Sequence, residues 1–194
     1  MVTPKLEAVN AGAYENEIEA KIIDADGNDV TDNYNLTVEY GTLTINKRKM
    51  TVKTDDGTFD YDGAAHTQKT CSSDELLSEL GHEFEVASAT SVTDVSETGT
   101  ENVLDVRVVC GKDDITDNYD ISYENGTLTV KAREITVTTK EQNASFVYDG
   151  TEHDNTEINQ PENMVKGQFV SVIGSAKIKT VGTMDNALEV IVED

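Results

Sequence analysis

Apolar and polar residues alternate with a period of two along most of the chain. Leu104, Val106 and Val108, for example, alternate with Asp105 and Arg107. Successive side chains of a β-strand point to opposite faces, so this alternation predicts strands that bury one face. Threonines separate many other apolar positions, and their branched β-carbon suits strands. The pattern predicts an all-β chain.

Short polar segments separate the predicted strands. Asn125-Gly126 lies between two alternating segments, and this dipeptide accepts the positive φ angles of a two-residue hairpin turn. We therefore expect a β-hairpin there, and a second hairpin at Tyr40-Gly41. Asp26-Gly27-Asn28 is predicted to form another turn.

One segment departs from the strand pattern. Residues 72–81 begin with serines and acidic residues, continue with leucines at helical spacing and end at Gly81, which predicts one or two helical turns. Six or seven short strands with little helix predict a small immunoglobulin-like β-sandwich. A β-grasp-like unit with one short helix is the alternative.

An internal repeat organises the chain. D-V-T-D-N-Y at 29–34 returns as D-I-T-D-N-Y at 114–119, and F-D-Y-D-G-A-A-H at 59–66 returns as F-V-Y-D-G-T-E-H at 146–153. The period is about 86 residues. Residues aligned by this repeat are called counterparts below.

The repeat predicts three blocks. The first block, 1–46, matches the C-terminal part of a repeat; the middle block, 47–131, is a complete repeat; and the third block, 132–194, matches the N-terminal two thirds of a repeat. Since the first block supplies what the third one lacks, strand complementation between two molecules is a further hypothesis.

The repeated segments resemble the tandem MBG or YDG repeats of large secreted adhesin-like proteins of gut Gram-positive bacteria. The similar segments are Y-D-G at 61–63 and 148–150, Leu77–His82, T-D-N-Y at 31–34 and 116–119, and Y-x-N-G-T-L-T-V at 123–130. The resemblance implies an extracellular, cell-wall-linked stalk or adhesin module without catalytic residues. The third block departs from it with Lys166-Gly167-Gln168 in place of the Gly-His pair, and a sorting signal is missing.

The charge excludes one class of partner. Fifteen Lys and Arg residues against 38 Asp and Glu residues give a net charge of −23, so we expect neither nucleic-acid binding nor attraction to anionic lipid. No apolar run is long enough for a membrane-spanning helix, and Met1 is not followed by a signal peptide. We therefore expect either a cytoplasmic protein or a piece of a longer secreted chain.

The recurrent tyrosines are predicted to be structural. Tyr61-Asp62-Gly63 and Tyr148-Asp149-Gly150 are interpreted as turns whose tyrosine packs on the core and whose glycine is left-handed. Tyr34 and Tyr119 are interpreted as corner tyrosines whose hydroxyl binds backbone.

No catalytic motif accompanies the three histidines. His66 and His153 follow the two Tyr-Asp-Gly turns, and His82 stands alone. A catalytic histidine needs a nucleophile or an acid within hydrogen-bond reach, and the sequence has no motif that supplies one. We expect no enzymatic activity.

Asp24, Asp26 and Asp29 form the one candidate metal loop, because oxygen-rich loops bind Ca²⁺. The loop lacks the downstream glutamate of an EF-hand, and its counterpart carries Lys112. A solvated turn without a cofactor is therefore the favoured interpretation.

Two covalent cross-links are considered. Cys71 and Cys110 form either a single disulfide or two buried free thiols. Lys49, Asn102 and Glu124 are candidates for a Lys–Asn isopeptide bond beside an acid, although nothing in their spacing requires one. An exposed lysine, an asparagine in a turn and a surface glutamate are the ordinary interpretation of these three.

Two functions remain. The first is a stalk module, whose partners are neighbouring repeats of the same parent chain. The second is a binding module that recognises a host glycan or protein through variable loops such as Ser72–His82. An exposed aromatic patch or a cleft would favour the second function.

Overall fold

The computed structural model describes the backbone of Val2–Pro4 and residues 7–194. Seventeen strands and four three-residue 3-10 helices make up the regular structure of this part of the chain. The all-β prediction is confirmed. The 3-10 helices are Thr31–Asn33, Ser78–Leu80, Val95–Glu97 and Thr116–Asn118.

The strands are numbered along the chain. The first block has β1 (Val2–Pro4), β2 (Gly12–Asn16), β3 (Ile18–Ala20) and β4 (Gly41–Ile45). The middle block has β5 (Arg48–Thr54), β6 (Gly57–Asp60), β7 (Cys71–Ser72), β8 (His82–Ala89), β9 (Thr100–Asn102), β10 (Leu104–Cys110), β11 (Asp113–Asp114), β12 (Tyr119–Glu124) and β13 (Gly126–Lys131). The third block has β14 (Thr138–Thr139), β15 (Ile158–Asn159), β16 (Phe169–Ser175) and β17 (Leu188–Glu193).

The chain forms two compact units. Unit 1 comprises the chain up to Thr58, His66–Val92 and Glu97–Thr129. Unit 2 comprises Phe59–Ala65, Thr93–Ser96 and Val130–Asp194. The division into three blocks stays a prediction from the repeat.

The core of unit 1 lies between two three-stranded sheets, β12-β5-β7 and β11-β10-β8. One cluster of buried side chains joins them: Met50, Val52, Leu104, Val106, Val108 and Tyr119. Met50 and Val52 occupy alternate positions of β5, and Tyr119 begins β12. Leu104, Val106 and Val108 occupy alternate positions of β10, as the sequence pattern predicts. Two sheets facing each other across one core are the layers of a sandwich.

The first and last strands of this core are parallel. β12 pairs with β5 in a continuous register from Tyr119 opposite Arg48 to Glu124 opposite Lys53. This pairing contradicts the hairpin predicted at Asn125-Gly126, because β13 pairs with β9 and not with β12. Gly126 has no positive φ, and among the described residues only glycines do.

The same correction applies at Tyr40-Gly41. β4 pairs antiparallel with β2, and the residues before Gly41 are not in a strand. Alternation identified these strands, but the choice of partner depends on which apolar faces meet in the core. Asp26-Gly27-Asn28 does form a turn, with Gly27 at φ +88°.

The helix predicted over 72–81 is reduced to one 3-10 turn ending at Gly81, which has φ +79°. The Glu75 carboxylate accepts a hydrogen bond from the Ser73 hydroxyl at 2.7 Å, and Arg48 Nε donates to the Glu75 carbonyl at 2.8 Å. These bonds hold the backbone before the turn out of a helix. The short helix of the β-grasp alternative is therefore not formed.

Unit 2 contains two antiparallel strand pairs, β16 with β17 and β14 with β15. They repeat the pairing of β8 with β10 and of β5 with β7 in the middle block. Val170 on β16 is buried. Repeated sequence therefore forms repeated strand pairs in both blocks.

Candidate functional site

The two Tyr-Asp-Gly turns have the same backbone geometry. Gly63 has φ +78° and Gly150 has φ +80°. The aspartate before each glycine accepts a hydrogen bond from the amide two residues on, at 2.9 Å in the middle block and 2.8 Å in the third. The predicted turn with a left-handed glycine is confirmed at both places.

The tyrosines of the two turns differ in their surroundings. Tyr61 is half-buried in unit 2, where Gln168 Nε2 donates to its hydroxyl at 2.8 Å and Arg133 Nε donates to its carbonyl at 2.9 Å. Its amide donates to the carbonyl of Lys131 at 2.9 Å. Tyr148 is 67 % exposed, so the prediction that its ring packs on the core is wrong.

Tyr61 lines a cavity of about 310 Å³ within unit 2. Its lining is largely apolar and consists of Tyr61, Val95, Ala132, Arg133, Ile135, Met164, Val165, Gln168 and Val192. A β-carbon on Gly63 would lie 3.0 Å from Val165 Cγ1, so the turn is tightly seated. This lining has one guanidinium and no carboxylate or imidazole, which suits packing rather than acid–base chemistry.

Asp149 is the most strongly perturbed carboxylate among the described residues. The hydroxyl and amide of Thr151 donate to it at 2.7 and 2.8 Å, and His153 Nε2 lies 3.0 Å away. These contacts lower its pKa from 3.8 to about 2. The Phe146 ring stacks on His153 with centroids 4.7 Å apart. The imidazole is therefore held inside the turn.

We expect the Asp149 carboxyl to titrate near pH 2 in the folded protein and near pH 4 in the unfolded chain. Its contribution to stability is therefore present above about pH 4 and is lost as the pH falls through about 2. NMR titration of the side chain measures the folded pKa. In Thr151→Val, which removes the hydroxyl donor, the pKa should rise toward 3.8. A wild-type pKa already at 3.8 would contradict the geometry.

Tyr119 is buried, but its hydroxyl does not bind backbone as the corner-tyrosine prediction requires. It lies 2.6 Å from His82 Nδ1, and the two rings meet edge to face. His82 thus acts as a structural partner in the core of unit 1. Tyr34, the counterpart of Tyr119, is exposed, so its predicted corner role is wrong.

The acidic loop of the first block is organised by its own hydrogen bonds. Asp24 Oδ1 accepts from the amides of Asp26 and Asn28, and Asp29 accepts from Thr31. The bonds from Asn28 and Thr31 lower the pKa of Asp24 and Asp29 respectively. Among the described residues no group of three or more His, Cys, Asp or Glu is placed to hold a metal. The solvated turn without a cofactor stays the prediction for this loop, with calcium binding as its alternative.

The two cysteines are not joined, and Asn102 and Glu124, considered for an isopeptide bond, have other partners. Cys71 and Cys110 are free thiols, and burial raises the pKa of Cys71. Asn102 is buried on β9, where its amide donates to the Asp55 carbonyl at 2.8 Å. Glu124 forms an ion pair with Lys53 at 3.0 Å, and not with Lys49.

An open groove lies in unit 1 beside Tyr123. Its volume is about 540 Å³, and it is lined by Ser88, Ala89, Thr90, Val103, Leu104, Asp105, Tyr123 and Asn125. Burial and the Asp105 carboxylate raise the pKa of the Tyr123 phenol. Tyr123 supplies the one aromatic ring of this lining, among small and polar side chains. The groove was not predicted from the sequence because its residues come from separate segments of the chain.

No protein-family model matches the chain, and neither a curated protein nor a solved structure matches it. Within the described residues, no helix is long and apolar enough to cross a bilayer. The contacts of Tyr61 and the repeated turns are therefore the observations that bear on function.

Proposed function

We propose that this chain is a non-catalytic structural repeat module of a secreted, cell-wall-associated bacterial surface protein, of the adhesin-like MBG or YDG repeat type. Its partners are the neighbouring repeats of the same parent chain. The observation that carries this proposal is the seating of the Tyr61 turn, from the middle block, against Arg133 and Gln168 of the third block. A recurrent turn that holds the following block is what a linked array requires.

Repeated local geometry supports the proposal. In the T-D-N-Y segments of the first and middle blocks, Asp29 and Asp114 each accept from the amide two residues on at 3.0 Å and from its hydroxyl at 2.6 Å. A three-residue 3-10 helix follows in both. Geometry that returns with the repeat indicates architecture rather than a single ligand site.

The acidic surface also suits an extended array. A net charge of −23 keeps long chains soluble and disfavours edge-to-edge pairing of strands between molecules. Ion pairs on this surface join side chains that are largely exposed, so solvent screens them and they contribute little to stability.

Tyr61→Phe should destabilise unit 2 by about 1 kcal/mol, because it removes the hydrogen bond from Gln168 without creating a large cavity. Hydrogen exchange of residues 164–170 in low urea measures the change. Tyr148→Phe is the matched control, since its hydroxyl is at the exposed counterpart position, and it should change nothing measurable. Equal effects of the two substitutions would argue against the proposed linkage.

Single-molecule extension tests the mechanical role directly. The 85-residue middle block should unfold in one step and add about 290 Å of contour length at about 3.4 Å per residue. Unfolding without a resolved step would contradict the proposal that the block resists mechanical extension.

The groove beside Tyr123 favours a second candidate, a module that binds a host glycan or protein. Titration calorimetry with sugars and mucin-type glycopeptides tests it. Saturable binding that is lost in Tyr123→Ala would favour this function over the stalk role.

A further inference from the structure

Two segments of the chain lack a strand partner that their counterparts have. In the middle block, β5 and β12 form a parallel pair. The counterpart of β12 is 34–39, and that of β5 is 133–139. In the part of the chain that the structure describes, 34–39 forms no strand and 133–137 forms none either. The chain therefore contains the counterparts of both strands of this parallel pair, but the two segments do not pair with each other as strands.

Apolar side chains are also less covered here than in the middle block, on two surfaces: the first is 34–39, and the second is 133–138 with the neighbouring face of β17. Ile135 and Val137 are half-buried, whereas their counterparts Met50 and Val52 are buried. Tyr119 is 4 % exposed in the middle block, whereas its counterpart Tyr34 is 60 % exposed. Val106 is 4 % exposed, whereas its counterpart Val190 in the third block is 38 % exposed. In the middle block, Tyr119 and Val106 are buried in the same core cluster. The surface of 34–39 and the surface that carries Val190 are therefore expected to cover each other.

We propose that a second copy of this chain covers both surfaces. Residues 34–39 of one copy pair in parallel with 133–138 of another, in the register that joins β12 to β5. This proposal rests on the proposed function, since it treats the first and third blocks as parts of one repeat. A second copy offers the same two segments that neighbouring repeats of a parent chain would offer, so the copies join head to tail.

The register specifies the contacts. Transferred from the middle block, it places Leu36 opposite Ile135 and Val38 opposite Val137, as Ile121 lies opposite Met50 and Tyr123 opposite Val52. Strand addition of this kind combines backbone hydrogen bonds with alternate side-chain contacts.

Tyr34 does not form the main contact of this pairing. Gln168, the counterpart of His82, already donates to Tyr61. In the middle block the Tyr119 hydroxyl binds His82. In the third block the residue at that position is already bonded to Tyr61 and is not available to Tyr34 of a second copy. Leu36 and Val38 therefore carry the pairing, and Tyr34 adds apolar contact.

Two consequences follow from the geometry. Because the two surfaces differ, the contact is heterologous, and each copy offers both, so assembly continues beyond the dimer. Because each copy carries a charge of −23, repulsion opposes assembly. Raising the salt from 0.1 M to 1 M shortens the screening length from about 10 Å to about 3 Å and should strengthen association.

Sedimentation and light scattering of the full chain, over rising concentration in low and high salt, test the proposal. The wild type should pass from the 21.1 kDa monomer to dimers and longer species. Leu36→Asp and Val190→Asp, one on each surface, should each remain monomeric. Their equimolar mixture should form a dimer and stop there, because one intact surface remains on each. Val181→Asp, at an exposed position outside both paired segments and outside β17, should assemble like the wild type.

Hydrogen exchange at 34–39 and 133–138 is the second measurement, and it needs no variant. Protection there should rise with protein concentration. A wild type that stays monomeric in high salt, or a closed dimer that both single variants still form, would overturn the inference. Neither result touches the comparison of Tyr61→Phe with Tyr148→Phe, which tests the proposed function separately.

Discussion

Gly126→Ala should destabilise unit 1 by about 3 kcal/mol. A β-carbon at this position would lie 2.6 Å from the carbonyl carbon and oxygen of Asp55 and from the Thr54 carbonyl oxygen. Those atoms are backbone and cannot move aside as a flexible side chain would, so the strands must separate. The Gly126 amide also donates to the Thr54 hydroxyl at 3.0 Å, and that hydroxyl donates to the Asn102 carbonyl at 2.7 Å. Displacement of the strand would break this buried chain of bonds.

Urea unfolding measures the loss. With an m-value of about 2 kcal/mol/M, the midpoint should fall by about 1.5 M. Gly41→Ala is the matched control, because Gly41 is the counterpart of Gly126 but has no atom within 4 Å of its added β-carbon. That substitution should be neutral or slightly stabilising, since it reduces the entropy of the unfolded chain. A midpoint for Gly126→Ala within error of the wild type would show that the backbone approach is not as close as described.

Leu128→Ala should cost about 3 kcal/mol, because the side chain on β13 is 0 % exposed and truncation leaves a cavity. Hydrogen exchange of the amides of β9 and β13 in denaturant reports the loss locally.

Leu43→Ala provides the comparison within the same chain. Leu43 lies at the counterpart position, in a strand pair of the same register, but it is 44 % exposed. Its truncation should change stability by less than about 1 kcal/mol. Equal costs for the two substitutions would mean that the first block buries this leucine as fully as the middle block does.

Local geometry was predictable where it depends on neighbours in sequence. The left-handed glycines at Gly63 and Gly150 and the turn at Gly27 follow from side-chain and backbone preferences within a few residues. Alternation likewise identified the buried face of β10. These features need no knowledge of what lies across the core.

Partner choice was not predictable in the same way. Asn125-Gly126 has hairpin chemistry, yet β12 pairs with β5 and β13 with β9. The glycine is used for a close backbone approach to Asp55, which no local pattern reveals. The hydroxyl of Tyr119 likewise binds His82, 37 residues away in sequence.

The amino-acid sequence by itself determined that the chain is all-β, that it is built on a repeat, and that turns lie at Gly27, Gly63 and Gly150. Tertiary structure decided which copy of a repeated residue is buried. Tyr34 and Tyr119 share the same local sequence but differ in exposure, as Tyr148 and Tyr61 do. The physical reason is that burial depends on the segments available to cover a side chain, and those segments are distant in sequence.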